Sequence, residues 1–216
     1  MRNMEEGNCL KTGTTTIGIL CKDGIVLAAD KRATAGSFIA DNRAKKIHQI
    51  NDEIAVTIAG TVSDAQLIIK LLKANMKLKD IQTRRNSLTK EVANFLAGLI
   101  YGNIRKFSTI PGISHFILGG KDNTGFQIFD IYPDGSLSEV EDFVSSGSGS
   151  VMAYGVLEAD YKKGITVEEG VKMAVKAMTS ALRRDSASGS GYEVIKITSK
   201  GIEQVLNQEL KIDLKA

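Results

Sequence analysis

The sequence predicts an α+β fold, a four-layer α-β-β-α sandwich of two antiparallel sheets. Three observations carry this. The hydrophobic period switches between the strand value of two and the helical value of about 3.6, in long blocks. The helical segments come in pairs between hairpins rather than singly between strands, which disfavours a doubly wound parallel sheet. Two prolines against 21 glycines in 216 residues leave the elements uninterrupted and make the turns with glycine.

Taken in order, residues 14–21 (TTTIGILC) are rich in β-branched side chains and read as a strand. Lys22-Asp23-Gly24 turns the chain into a second strand over residues 25–30. Residues 45–50 and 53–59 make another pair around Asn51-Asp52, giving four or five short strands in the first 60 residues. Leu67, Ile68, Leu71, Leu72 and Met76 then recur at helical spacing. After Arg84-Arg85-Asn86-Ser87 a second helix places Val92, Phe95, Leu96, Leu99 and Ile104 on one face. Strands return at 113–118 and 125–131, joined by Gly119-Gly120-Lys121-Asp122-Asn123, and a short strand comes after Pro133-Asp134-Gly135. The glycine-serine stretch 145–150 leads into a helix around 152–161. Thr166-Val167-Glu168-Glu169 is a capping box opening a helix whose buried face is Val171, Ala174, Val175, Met178 and Leu182. Strands at 192–198 and 202–206 close the sequence.

At typical domain lengths of roughly 150 residues, a chain of this size without linker or repeat is one domain. A hydrophobic share of 43% with 25% charged residues is globular, which excludes a disordered tail, a collagen-like repeat and a coiled-coil rod. The charge balance, 28 − 25 = +3, lacks the clustered positive charge that nucleic-acid binding needs. No apolar run approaches the ~18 residues of a membrane span. The N-terminus MRNMEEGNCLKTG has no apolar h-region, so it does not read as a secretory signal. Cys9 and Cys21 fit neither a zinc site nor a redox CxxC pair, and a reducing, cytoplasmic setting is the plain reading.

Familiar catalytic signatures are missing. Gly120-Lys121 is followed by Asp122, so there is no phosphate-binding loop, and GSGSVM places Met152 where a dinucleotide fingerprint needs glycine. There is neither HExxH nor a GxSxG elbow. His48 and His115 are too few for a histidine metal cluster and read as ordinary strand residues; an Asp/His/Ser triad is possible in composition only. Gly13-Thr14-Thr15-Thr16 alone is good strand material.

Six segments taken together change that reading. LKTGTTTIGI, AADKRAT, AKKIHQI, TIAGTVSDAQ, SSGSGS and RRDSASGSG, in this order, resemble the β subunits of the 20S proteasome, in particular the archaeal type. The resemblance runs from about Leu10 to Ile197, with Thr14, Asp30 and Lys46 sixteen and sixteen residues apart. It implies an N-terminal-nucleophile hydrolase, whose fold is the same sandwich that the periodicity predicts. Residues 1–13 become a propeptide removed by autocatalytic cleavage at Gly13-Thr14, and residues 14–216 the catalytic domain. Removing 13 of 216 residues leaves 203, with Cys21 the single cysteine.

The chemistry is self-consistent. A threonine hydroxyl is a poor nucleophile without a base. Once Thr14 is the first residue, its own α-amine, with an ordinary pKa of about 7.7–8.0, is a base fixed beside the nucleophile. Gly13 presents no side chain, so Thr14 Oγ can approach its carbonyl. The threonine methyl restricts χ1 and aims the hydroxyl better than serine would. The match assigns Lys46, rather than its neighbour Lys45, to stabilise developing charge or relay the proton, with Asp30 as its anion. Since strand neighbours point to opposite faces, only one of the two lysines can serve. Gly60 N–H becomes the oxyanion donor, an interaction typically worth about 2.7–4 kcal/mol. Asp185, Ser188 and Ser148 match the residues that, in the family, hold the threonine amine and a water. Arg32 is expected to help structure the Asp30–Lys46 pair, with a surface arginine as the alternative, and is grouped with the substrate-binding residues. The resemblance also implies that a peptide substrate adds as a strand at Thr34 and Gly60 to Val62. Its P1 side chain enters a pocket of Ala33, Ala44, His48, Ile58 and Val62, where His48 departs from the apolar residue expected.

The resemblance further implies endopeptidase activity on unfolded proteins through an acyl-enzyme on Thr14, with no metal or organic cofactor. It implies heptameric β rings, α-subunit rings and an unfolding ATPase as partners, and neither nucleic acid nor membrane. Two alternatives stay open: the bacterial two-component threonine protease of this fold, and a non-catalytic structural ring subunit.

Overall fold

The protein is described by a computed structural model covering residues 13–209. The first hairpin is β1 (Thr16–Cys21) and β2 (Gly24–Asp30), followed by a small hairpin, β3 (Ala33–Ala35) and β4 (Phe38–Asp41). Strands β5 (Ile47–Gln49) and β6 (Ile54–Gly60) precede helices α1 (Val62–Thr83) and α2 (Thr89–Ile104). Then come β7 (Ser114–Asp122), β8 (Gly125–Ile131), β9 (Leu137–Val140) and β10 (Phe143–Ser146). Helices α3 (Ser150–Asp160) and α4 (Val167–Arg184) lead to β11 (Gly191–Thr198) and β12 (Gly201–Glu209).

Two five-stranded sheets stack, one in the order β10-β1-β2-β11-β12 and the other β5-β6-β7-β8-β9. Every paired neighbour in them is antiparallel. The alternation of side chains along β2 shows why the stack has four layers. Ile25, Leu27 and Ala29 point between the sheets toward Ile117, Ile128 and Ala55. Val26 and Ala28 point the other way, into a cluster with Ala153, Leu157, Ala174 and Met178 of α3 and α4. The outer face of the second sheet packs Val56, Phe116 and Phe129 on Ile68, Leu72 and Leu96 of α1 and α2. With both faces covered, β2 is buried at all seven positions. No helix among the described residues is long and apolar enough to cross a membrane.

The predicted fold class holds, and several element readings are corrected. The described part of the first 60 residues holds six strands, because the periodicity gives no sign of the β3–β4 hairpin. That hairpin is short, turns at Gly36-Ser37, and its β4 is exposed throughout, so it has no buried face to mark it. The glycine-serine stretch is not all turn: Ser145 and Ser146 belong to β10, which pairs with β1. In α1 the buried stripe is Ala65, Ile68, Ile69, Leu72 and Met76, while Leu67 and Leu71 are exposed. The capping box of α4 forms as expected: Glu169 N–H donates to Thr166 Oγ1 at 3.2 Å and Thr166 N–H donates to Glu169 Oε2 at 2.8 Å.

Candidate active site

Three elements end at one point. Thr14 lies just before β1, Asp30 is the last residue of β2, and Lys46 immediately precedes β5 of the other sheet. Lys46 Nζ donates to Asp30 Oδ1 at 2.7 Å and to Thr14 Oγ1 at 2.9 Å. Asp30 and Lys46 are only 1% and 6% exposed. A buried carboxylate needs its lone pairs satisfied. Asp30 Oδ1 also accepts Thr15 N–H at 3.0 Å, while Oδ2 accepts Arg32 N–H at 3.1 Å and Gly189 N–H at 3.0 Å. Burial pushes the Lys46 ammonium below its ordinary pKa, and the Asp30 charge offsets this only in part. An amine so placed gives up its proton more readily than a surface lysine.

Thr14 Oγ1 donates to the Gly13 carbonyl oxygen at 2.6 Å, and Lys46 Nζ reaches the same oxygen at 3.5 Å. The hydroxyl therefore lies against the carbonyl of its own preceding residue, beside a cation that polarises it. Gly13 N–H donates to Thr34 Oγ1 at 3.0 Å, so β3 anchors the residue before the threonine. Residues 1–12 of the expected propeptide lie outside the described residues.

On the other side, Thr14 N–H donates to Ser148 Oγ at 3.2 Å, and Ser148 Oγ donates to Asp185 Oδ2 at 2.5 Å. Ser188 Oγ donates to the same carboxylate oxygen at 2.6 Å. Its proton thus spent, Ser188 accepts from Thr15 Oγ1 at 2.8 Å. Asp185 is the C-cap of α4 and Ser148 sits in the turn before α3, so the helical pair on one outer face delivers this cluster.

A cavity of about 350 Å³ opens from Thr14, lined among others by Ala33, Thr34, Ala44, Lys46, His48, Ile58, Gly60 and Val62. Gly60 has φ +112°, and a Cβ there would lie 2.2 Å from the Ile113 carbonyl oxygen, so glycine is required where β6 meets the pocket. His48 Nε2 is 3.1 Å from the Lys45 carbonyl oxygen, to which it must donate. Burial, then the charges of Lys45 and Lys73, holds the His48 pKa below its usual value.

The model of the family described as "Proteasome subunit" matches residues 10–197. A Proteasome subunit beta of Ferroglobus placidus is 47% identical over 199 residues, covering 92% of this chain and 93% of the relative. The Proteasome subunit beta of Archaeoglobus profundus is 46% identical over 198 residues, covering 92% and 90%. That of Methanococcus maripaludis is 43% identical over 204 residues, covering 94% and 91%.

The chain belongs to the proteasome subunit family. Its similarity is to the beta members of that family, and the α+β sandwich agrees with the proteasome fold. Of the residues singled out in the sequence, Thr14, Asp30, Lys46, Ser148, Asp185 and Ser188 come together in one hydrogen-bonded cluster. Gly60, Ala33, Thr34, Ala44, His48, Ile58 and Val62 line the adjoining cavity. Arg32 lies outside that lining: its guanidinium donates to the Ser186 carbonyl at 3.0 Å and to Ser190 Oγ at 3.4 Å, bracing the loop after α4. Lys45 is exposed at the cavity mouth. Sequence reasoning missed the contacts of Thr15 with Ser188 and of Gly13 with Thr34. It also missed that His115 bridges Asp130 and Ser146. Those partners lie on other segments at unrelated separations, so no local pattern announces them.

Proposed function

We propose that this chain is the catalytic subunit of a proteasome core particle, a threonine-type endopeptidase that first releases its own nucleophile by cleaving Gly13-Thr14. In the first step Thr14 Oγ adds to the Gly13 carbonyl carbon and its proton passes to the departing Thr14 nitrogen. The amide bond breaks, an ester forms, and water hydrolyses the ester to free the Thr14 amine. In each later turnover that amine takes the Oγ proton, Oγ attacks a substrate carbonyl, and the proton leaves on the substrate's new amino terminus. Water then resolves the second ester. Lys46 stabilises the alkoxide character of Oγ or relays the proton, and Asp30 holds Lys46 in place. Gly60 N–H receives the oxyanion, and Ser148, Asp185 and Ser188 hold the amine and a water. Residues 1–13 are then the propeptide and residues 14–216 the mature catalytic unit.

The observation that carries this reading is the contact of Lys46 Nζ with both Thr14 Oγ1 and Asp30. Family membership supports assembly into rings, and we propose heptameric β rings capped by α-subunit rings and fed by an unfolding ATPase in the cytoplasm. Enclosure suits a site that recognises peptide backbone and little else. The test is hydrolysis of a fluorogenic peptide by the particle assembled with α subunits. The wild type should turn over and Thr14→Ala should not; equal turnover by the two would overturn the assignment and favour a structural ring subunit.

A further inference from the structure

The fold contains a second polar array that the site above does not use. Ser146 Oγ lies 2.7 Å from His115 Nδ1, and His115 Nε2 lies 2.6 Å from Asp130 Oδ1. Ser146 and Asp130 are 3% and 4% exposed. In the neutral ring one nitrogen donates and the other accepts. For that ring the Asp130 carboxylate selects the tautomer with hydrogen on Nε2, and Nδ1 then accepts the Ser146 hydroxyl proton. The Tyr132 ring packs 4.9 Å from the imidazole, centre to centre, and restricts its rotation.

This order of groups matches a serine nucleophile relay, but Ser146 is inside the β10–β1 ladder opposite Thr16, where a scissile peptide cannot reach it. Its location suggests another task. Among the described residues β10 is the edge strand of the first sheet and pairs there with β1 alone. His115 and Asp130 belong to β7 and β8 of the second sheet. The array therefore crosses between the sheets and pins the last residue of an edge strand.

Directly after Ser146 the chain turns against Thr14. Gly147 has φ +93°, and a Cβ there would fall 2.0 Å from the Thr14 carbonyl oxygen. Ser148 Oγ accepts Thr14 N–H, and Gly149 N–H donates to the Thr14 carbonyl at 3.3 Å. A turn in such close contact transmits small displacements of its anchor directly to the threonine.

We propose that Asp130, His115 and Ser146 form a positioning relay that sets the 147–149 turn on Thr14 and thereby orients its nitrogen for the reaction. The kinetic part rests on the proposed threonine chemistry; the placement of the turn does not. Three variants test it in the assembled particle. His115→Phe keeps a ring and removes both hydrogen bonds, Ser146→Ala removes one, and Ser146→Thr keeps the hydroxyl. His115→Phe and Ser146→Ala should lower kcat roughly tenfold or more with KM within about twofold, and Ser146→Thr should recover most of it. If His115→Phe does not assemble, the Ser146 pair decides. The second readout is amide exchange in the full chain, independent of turnover. The Gly149 amide should exchange roughly tenfold faster in Ser146→Ala, with β1 unchanged. Unchanged exchange at Gly149 would overturn the relay even in a particle without peptidase activity. With wild-type turnover present and Thr14→Ala dead, kcat of Ser146→Ala within about twofold of wild type would overturn it while leaving the threonine assignment standing.

Discussion

Lys46 is a cation buried between a carboxylate and a hydroxyl, and its burial weakens its hold on the proton. Desolvation lowers its pKa, so on lowering the pH it takes up a proton later than an exposed lysine. Activity should fall on the acid side as the Thr14 amine, the base of the proposed reaction, becomes protonated. Lys46→Arg separates charge from proton transfer, because arginine keeps the cation and does not release a proton. It should lose about 10²–10⁴-fold in kcat, the usual scale of general acid–base assistance; activity within about threefold of wild type would reduce Lys46 to a fixed charge. Legibility differs from residue to residue. Thr14, Asp30 and Lys46 are readable because their segments occur in the family's order, although a separation of sixteen residues is no structural period. The choice of Lys46 over Lys45 also comes from the match, and the one is buried and the other exposed. His115 carries no signal, since its partners lie 15 and 31 residues away on other strands.

At the level of elements, the sequence is most readable where local chemistry is self-contained. The α4 capping box is such a case, and Thr166→Ala should cost about 1 kcal/mol, measured by denaturant unfolding, with activity per assembled particle unchanged. The junction between α1 and α2 gives a pH-dependent prediction. The Arg85 guanidinium, hydrogen-bonded to Glu91 at 2.6 Å, is the main cause holding that carboxyl down at about 2. The folded value lies below the unfolded one, so the pair's stabilisation is complete above the ordinary range near 4.5 and is lost as pH falls toward 2. Glu91→Gln should flatten the loss of stability over that interval; an unchanged acid slope would show the pair contributes nothing. Elements without a buried face are invisible in advance. β4 is exposed at every position; β10 is buried at Val144, Ser145 and Ser146, but its serines sit in a glycine-serine stretch that reads as a turn. In α1 apolar residues occupy two stripes, one buried through Ile68 and Leu72 and one exposed through Leu67, Leu71, Leu78 and Ile81, and periodicity does not say which faces the sheet.

For the molecule as a whole, the sandwich holds the site by stacking two sheets whose strand ends converge on Thr14. Ile117 lies between those sheets with no exposure, and Ile117→Ala should cost about 2–5 kcal/mol in denaturant unfolding, depending on how far the gap relaxes. The layers themselves are readable from hydrophobic period alone, because a core buried on both faces of a sheet must alternate with helical cover. Which strand ends meet is not, because it depends on pairing between distant segments such as β2 with β11. In the proposed mechanism this convergence creates a nucleophile at a new amino terminus. Intact-mass measurement of the chain recovered from active particles tests it most directly. A chain of 216 − 13 = 203 residues beginning at Thr14 is the expected result. Turnover by particles whose chains all retain Gly13 ahead of Thr14 would contradict it.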